Sequence, residues 1–139
     1  MAAWDVWCQN ACATSKMFDK MGVMSAGPPP TPWGSFPSNC IDANYFAKVW
    51  PVLESGNDDD IRARGLYDGQ DKYIYIRLIE DFPNGKCAVA RGKGAYAKNY
   101  LLVFGGKKTI MFGILKEGVI PFHGGNYLST CTSTLESCC

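Results

Sequence analysis

Few side chains in this sequence are suited to covalent chemistry. His123 is the one histidine, and it lies in Phe122-His123-Gly124-Gly125-Asn126. The seven cysteines are Cys8, Cys12, Cys40, Cys87, Cys131, Cys138 and Cys139. A thiol nucleophile needs a base and a group that orients the base. No spacing in the sequence pairs a cysteine with His123. We therefore predict that the chain is not an enzyme, and keep a small enzyme with a cysteine nucleophile as a third hypothesis.

The sequence also lacks the motifs of metal and cofactor sites. Cys8 and Cys12 are four residues apart and can share a helix face, but a metal would need further ligands. Gly92-Lys93-Gly94 has neither phosphate-loop nor dinucleotide-loop spacing. The acidic run 56–60 lacks the glutamate that closes an EF-hand loop, which favours a solvated turn. We predict no cofactor and no metal, with the thiols reduced and packed as small hydrophobic groups.

Composition predicts a small single-domain protein. Its 139 residues suit a single domain over 1–139, and 47% of them are hydrophobic. A formal charge of +1 is too small for a protein whose main partner is nucleic acid. The first residues have no basic region and no long apolar run follows, so we expect a cytosolic monomer without a signal peptide.

Two groups of side chains instead indicate binding. Trp4 and Trp7 share one face of a predicted N-terminal helix, and Trp33 follows the proline-rich segment 27–32. These rings belong either to the core or to an aromatic groove for proline-rich peptides. Basic residues beside the predicted strands are either solubilising charges or a face for an acidic partner or anionic lipid; they are Lys72, Arg77, Lys86, Arg91, Lys93, Lys98, Lys107, Lys108 and Lys116.

The elements that would position these residues follow from periodicity and turn signals. The proline-rich segment, either a rigid loop or itself a polyproline ligand, separates two short strands. A helix capped by Asp42 and limited by Pro51 comes next. Further strands are predicted at Ile61–Tyr67, Lys72–Arg77 and Lys86–Arg91, then a hairpin at Asn99–Phe104 and Lys107–Leu115, before a last helix carrying Tyr127, Leu128, Cys131, Leu135 and Cys138. This order predicts an α+β domain with an antiparallel sheet covered by helices.

Several segments together resemble the profilin family, and the resemblance spans nearly the whole chain. The order and spacing of the segments carry it, since no single motif is decisive. The matching segments are Ala3-Trp4-Asp5 with Trp7, Gly65 to Ile76, Ala88 to Gly94, Lys116-Glu117-Gly118-Val119, and His123-Gly124-Gly125.

The resemblance implies a profilin-like fold, in which the N- and C-terminal helices lie on one face of a central antiparallel sheet and short helices on the other. It also implies binding of monomeric actin, of proline-rich proteins and of phosphoinositide headgroups. The implied actin residues are Lys72, Ile74, Tyr75, Ile76, Arg77, Arg91, Lys93, His123, Gly124, Gly125 and Asn126. Strand alternation, however, turns Tyr75 to the opposite face from Ile74 and Ile76.

The other two sites follow in the same way. The proline-rich groove would use Trp4, Trp7 and Trp33, with Leu135 of the last helix on its other wall. Phosphoinositide headgroups would contact Arg91, Lys93, Lys98 and Lys107. We expect these four side chains to lie together at one sheet edge. His123 and Gly124 are expected on a loop entering the last helix, with Gly124 allowing close approach of actin.

The sequence departs from the animal profilin pattern at two places. Ile120-Pro121-Phe122 is inserted before His123, at the expected actin face. The segment 132–139 lacks the histidine and terminal aromatic residue that complete the groove in many profilins. The alternative function is therefore an adaptor of the same fold with weak actin binding, which mainly binds proline-rich partners or anionic lipid.

Overall fold

One antiparallel sheet of seven strands forms the centre of the protein, in the order β2-β1-β7-β6-β5-β4-β3. The computed structural model describes residues 3–25, 31–37, 42–55, 59–68, 71–94 and 97–138. The strands are β1 (Phe18–Ser25), β2 (Thr31–Phe36), β3 (Leu66–Asp68), β4 (Asp71–Phe82), β5 (Gly85–Gly92), β6 (Tyr100–Gly105) and β7 (Thr109–Leu115). The helices are α1 (Ala3–Ser15), α2 (Ala43–Glu54), α3 (Asp59–Arg64) and α4 (Pro121–Cys138).

Side chains alternate between the two faces of the sheet, and each face carries its own hydrophobic core. Leu101 and Val103 pack with α2 and α3 in what we call the short-helix core. Leu102 and Phe104 pack with α1 and α4 in what we call the terminal-helix core. Because β6 is covered on both faces, it is apolar and buried at nearly every position. The predicted antiparallel sheet, with the terminal helices together on one face, is confirmed.

The sheet curls strongly from end to end. Four strands separate β1 from β3 in the sheet order, yet Lys20 Nζ of β1 lies 2.9 Å from Asp68 Oδ2 of β3. Strand twist accumulates across a sheet and brings distant edges together in this way. The curl gives the domain a closed short-helix side and leaves part of the opposite face open.

Two predicted boundaries in the middle of the chain are wrong. Asp42 caps α2 as expected, accepting from Tyr45 N at 3.1 Å, but the helix continues through Pro51 to Glu54. Buried Trp50 and Leu53 lie on either side of Pro51 and hold the helical path by packing, while the ring itself is exposed.

The strand predicted at Ile61–Tyr67 is in fact α3 followed by β3. Asp59 and Asp60 in the first turn and Arg62 and Arg64 in the last complement the helix dipole, which favours a helix over a strand. Gly65, at φ +81°, then ends the helix. Segments 27–30 and 56–58, for which a proline loop and part of an acidic turn are predicted, lie outside the described residues.

The last helix begins earlier than the sequence suggests. α4 starts at Pro121, a residue suited to the first helical position because its missing N–H needs no partner there. The N–H groups of His123 and Gly124 donate to the Ile120 carbonyl at 3.0 and 3.3 Å. His123 and Gly124 therefore lie within the first turn of α4, and not on a loop before it as predicted. None of the helices in the described part of the chain is long and apolar enough to cross a membrane.

Glu136 fixes the far end of α4 to the turn between β6 and β7. Its Oε2 accepts from Lys108 N at 2.7 Å, from Thr109 N at 3.1 Å and from Thr109 Oγ1 at 3.2 Å. Its Oε1 accepts from Lys107 N at 3.4 Å. One carboxylate thus satisfies several donors of a tight turn that ends in buried Thr109.

We predict that Glu136→Ala lowers the free energy of unfolding by about 2 kcal/mol. The backbone N–H groups of Lys107, Lys108 and Thr109 would lose the charged carboxylate that accepts their hydrogen bonds. Urea denaturation measures the change. Glu117→Ala, which removes an exposed ion pair with Lys98, is the matched control and should cost under about 0.5 kcal/mol. Equal stability of the two variants would contradict the role of Glu136.

Candidate functional site

Three tryptophans form a cluster on the surface where α1 crosses β2. The Trp4 and Trp33 ring centroids are 5.2 Å apart with a 33° tilt, and those of Trp4 and Trp7 are 5.8 Å apart at 64°. All three side chains are partly buried against the terminal-helix core, and each keeps some exposed surface. The structure therefore brings together the three tryptophans singled out in the sequence.

Close packing of α1 on β2 positions these rings. A Cβ placed on Gly34 would lie 2.6 Å from the backbone carbon of Trp4, so only glycine permits this approach. Asp5 Oδ1 accepts from Ser35 N at 2.8 Å and ties the first turn of α1 to the strand. Neither role follows from the sequence alone, because both depend on contact between separate elements.

Leu135, expected on the groove wall, does not reach the surface. It is 5% exposed and packs inside the terminal-helix core, so it supports α4 from beneath. The helix meets α1 through Tyr127, whose hydroxyl donates to the Ala11 carbonyl at 3.4 Å. Burial, with smaller contributions from Cys131 and Cys12, raises the pKa of Tyr127 to about 12, so this donor keeps its proton at neutral pH.

Two thiols of this core, those of Cys87 and Cys131, are poor nucleophiles. Burial raises the pKa of Cys87 to about 12 and also raises the pKa of Cys131. Both therefore stay protonated near neutral pH, whereas nucleophilic cysteines have lowered values. Over the described residues, no group of three or more His, Cys, Asp and Glu side chains could hold a metal ion.

A second surface lies on the first half of β4. Ile74 and Ile76 are 46% and 40% exposed. Tyr75, carried into the actin set by the resemblance, is 4% exposed and packs in the short-helix core, so it offers no surface. A bulge at Ile76 then changes the alternation and places exposed Arg77 opposite Val89, on the face of the terminal-helix core.

Strand register extends this surface across the sheet. Ile74 of β4 pairs with Arg91 of β5, and Arg91 pairs with Tyr100 of β6, so the three side chains form a row on one face. Lys72 and Lys93 lie just beyond this row, half-buried and exposed respectively. We call the surface of Lys72, Ile74, Ile76, Arg77, Arg91 and Lys93 the sheet face: an apolar centre with a basic rim.

The first turns of α4 complete this surface only in part. His123 and Asn126 are exposed there, but Gly124 and Gly125 are buried against the sheet. A Cβ on Gly124 would lie 2.6 Å from Leu115 Cδ2, and one on Gly125 would lie 2.9 Å from Phe82 Cζ. The expected role of Gly124 in close approach of a partner is wrong, since the glycines allow close approach of α4 itself.

The four basic residues assigned to phosphoinositides do not gather at one place. Arg91, Lys93 and Lys98 lie at one end of the sheet, where Arg91 Nε donates to the Ala97 carbonyl at 2.9 Å. Lys107 follows the far end of the six-residue strand β6, about 20 Å away at the usual rise per residue. Any anion site at the first end therefore lacks Lys107, because strand length separates the two groups.

Comparisons with known proteins identify the fold. No protein-family model matches the sequence, and no curated protein sequence matches it. Among solved structures, rat profilin 2a superposes with a TM-score of 0.72 at 13% identity, covering 96% of this chain and 94% of that one. Profilin IA of Acanthamoeba castellanii gives 0.68 at 14% identity, covering 96% of each chain.

A third similar structure includes a ligand. Mouse profilin IIa, in complex with a double repeat from the FH1 domain of mDia1, gives a TM-score of 0.66 at 15% identity and 98% coverage of each chain. Likenesses over nearly the whole length show that the chain has the profilin fold, as the sequence predicted. At such identities they show the fold alone.

The packing of α4 yields a prediction. Gly124→Val should lower the free energy of unfolding by about 1–3 kcal/mol, because the added atoms overlap Leu115 and Leu102. Thermal melting and urea denaturation measure the loss. Asn126→Val, at an exposed position two residues along, should change stability by less than about 0.5 kcal/mol. Unchanged stability of Gly124→Val would contradict the packing argument.

Proposed function

We propose that this chain, which has the profilin fold, binds monomeric actin, regulates actin polymerisation, and binds proline-rich peptides on a separate surface. Actin and the factors that assemble it are cytoplasmic, so the proposal places the chain in the cytoplasm. The single observation that carries it is the tryptophan cluster. Three partly exposed rings, 5.2 and 5.8 Å apart, provide a surface on which proline rings can pack.

The proline-rich ligand suits this surface for an energetic reason. A polyproline helix is already extended in solution, so little further conformational entropy is lost when it binds. Tryptophan side chains have few rotatable bonds and large contact areas, and are enriched at binding hot spots. The complex of mouse profilin IIa with an FH1 repeat supports the same assignment on the same fold.

A second observation favours actin as a partner. Isoleucines exposed by 46% and 40% at the centre of the sheet face are costly in water unless a partner covers them. The exposed guanidinium groups of Arg77 and Arg91 and the ammonium of Lys93 surround them. An apolar centre with a charged rim is the usual anatomy of a protein interface, and this rim requires an acidic partner surface.

Anionic lipid headgroups would use part of the same surface. Arg91 and Lys93 give weak, salt-sensitive attraction to phosphoinositides, at about 1 kcal/mol for each basic residue. Lys98 adds less, because the Glu117 carboxylate 3.2 Å away offsets its charge. Since Arg91 and Lys93 also belong to the sheet face, lipid and actin would compete. If actin binding proves weak, the alternative of an adaptor for proline-rich partners or anionic lipid applies.

The tryptophan cluster gives a test with an internal reference. Titrating polyproline should change the intrinsic fluorescence, while Trp50, 5% exposed in the short-helix core, contributes a constant signal. Trp4→Ala should weaken polyproline binding at least about tenfold, as expected for a hot-spot aromatic residue, and Trp4→Phe should weaken it less. Melting curves control for folding. Fluorescence indifferent to millimolar polyproline would refute the proline-binding site.

The sheet face gives a kinetic test. Lys93→Glu should slow association with monomeric actin about tenfold at low salt and reduce the salt dependence, since it reverses a rim charge. Lys48→Glu, an exposed substitution on α2, should leave association unchanged. Stopped-flow binding and a pyrene–actin polymerisation assay provide the measurements. If Lys93→Glu associates with actin as fast as the parent and the Lys48→Glu control do, the sheet face is not the actin site.

A further inference from the structure

The proline-rich segment 27–32 lies directly beside the tryptophan cluster in the sequence. It consists of Gly-Pro-Pro-Pro-Thr-Pro, and Trp33 follows it. Residues 26–30 lie outside the described part of the chain, while Pro32 is exposed in β2. Sequences of this composition favour the extended polyproline helix, which aromatic surfaces bind. The molecule therefore carries, a few residues apart, a proposed proline-binding surface and a sequence of the type that such a surface binds.

A β-bulge directs the Trp33 ring toward α1. The register of β2 against β1 skips one residue between Pro32 and Gly34, so Trp33 is the extra residue of the bulge. Gly34 faces the terminal helices, and the bulge lets Trp33 face them too, with its ring centroid 5.2 Å from that of Trp4. Pro32 is paired with Met24 of the short-helix core and points to the other face.

The strand register also keeps the proline-rich segment from lying along the rings of its own molecule. Thr31 is paired with Ser25, and Ser25 Oγ accepts from Thr31 N at 3.1 Å. Thr31 and Pro32 are therefore extended strand residues, and the chain has no room to reverse between Pro30 and Trp33. Prolines that enter a strand in this way cannot double back across the three rings that follow. A second molecule has to supply the ligand.

Local charge does not oppose such a contact between two copies. The proline-rich segment has no ionisable side chain, and the three indole rings are neutral. The nearby Asp5 carboxylate accepts from Ser35 N at 2.8 Å. The sheet face differs, because its basic rim would repel the rim of a second copy. Since ligand and surface are adjacent on one molecule, a two-fold axis can bring each segment onto the rings of the other copy.

We propose that the proline-rich segment of one molecule binds the tryptophan cluster of a second copy, in a reciprocal dimer with a two-fold axis. The proposal rests on the proline binding proposed above and names one ligand of that surface. A single contact of this size is weak, and two contacts in one dimer reinforce each other. The dimer covers both tryptophan clusters, so the monomer is the form that binds other proline-rich proteins.

Sedimentation velocity of the full chain, from micromolar to millimolar concentration, tests the dimer in reducing buffer, where no disulfide joins two copies. The parent should dimerise as its concentration rises, and added polyproline should dissociate the dimer. Replacing Pro28, Pro29 and Pro30 together by alanine should weaken dimerisation at least about tenfold and leave polyproline binding intact. Pro51→Ala, at an exposed proline of α2, is the matched control and should dimerise as the parent does. Melting curves check that the variants fold.

Mixing two deficient variants tests the reciprocal contact. Trp4→Ala keeps the proline-rich segment and loses part of the surface, whereas the triple alanine variant keeps the surface and loses the segment. Each variant alone should remain monomeric where the parent is a dimer. Their mixture should form a heterodimer through the one contact that remains. A mixture no more associated than its separate components would overturn the proposal.

The remaining outcomes separate this proposal from the function on which it rests. If the parent binds polyproline and stays monomeric throughout, the dimer is refuted and the proposed function stands. If the parent binds no polyproline, both fall. A dimer that persists in the triple alanine variant is formed by another surface. A monomeric parent that binds polyproline more weakly than this variant has its rings occupied by its own segment. Either result overturns the proposal.

Discussion

The close packing of the two terminal helices on one face of the sheet is the constraint on which the rest of the structure depends. Gly34 lets the backbone of Trp4 approach β2, and Gly124 and Gly125 let α4 approach Leu115 and the neighbouring side chains beneath it. Larger residues at these positions would lift the helices and open the terminal-helix core. Protein interiors are packed at crystal-like density, so such gaps are costly.

Both candidate binding surfaces are consequences of that close packing. The tryptophan cluster exists because α1 lies directly across β2, within ring-stacking distance of Trp33. The sheet face exists because the terminal helices leave Ile74 and Ile76 uncovered. One packing arrangement thus produces two surfaces with different chemistry, one aromatic and neutral, the other apolar with a basic rim.

A fold shared at 13% identity with rat profilin 2a also has a physical explanation. Sheet and helix positions require a hydrophobic side chain of suitable volume, and cores tolerate many combinations that satisfy this. Surface residues have no such requirement, so their types can differ between proteins of the same fold. Fold similarity therefore shows how the helices and strands are arranged, and the local side chains decide what the surface binds.

The sequence alone determined the element types, most strand positions and the three tryptophans, because local periodicity and turn residues act over a few residues. It misplaced the strand at Ile61, where side-chain packing and dipole charges outweighed β propensity. Strand alternation already turned Tyr75 away from Ile74 and Ile76. Only the tertiary structure decided that Leu135 is buried, that Lys107 is far from Arg91, and that the glycines serve helix packing. These facts depend on contacts between residues distant in the chain, which short-range patterns do not encode.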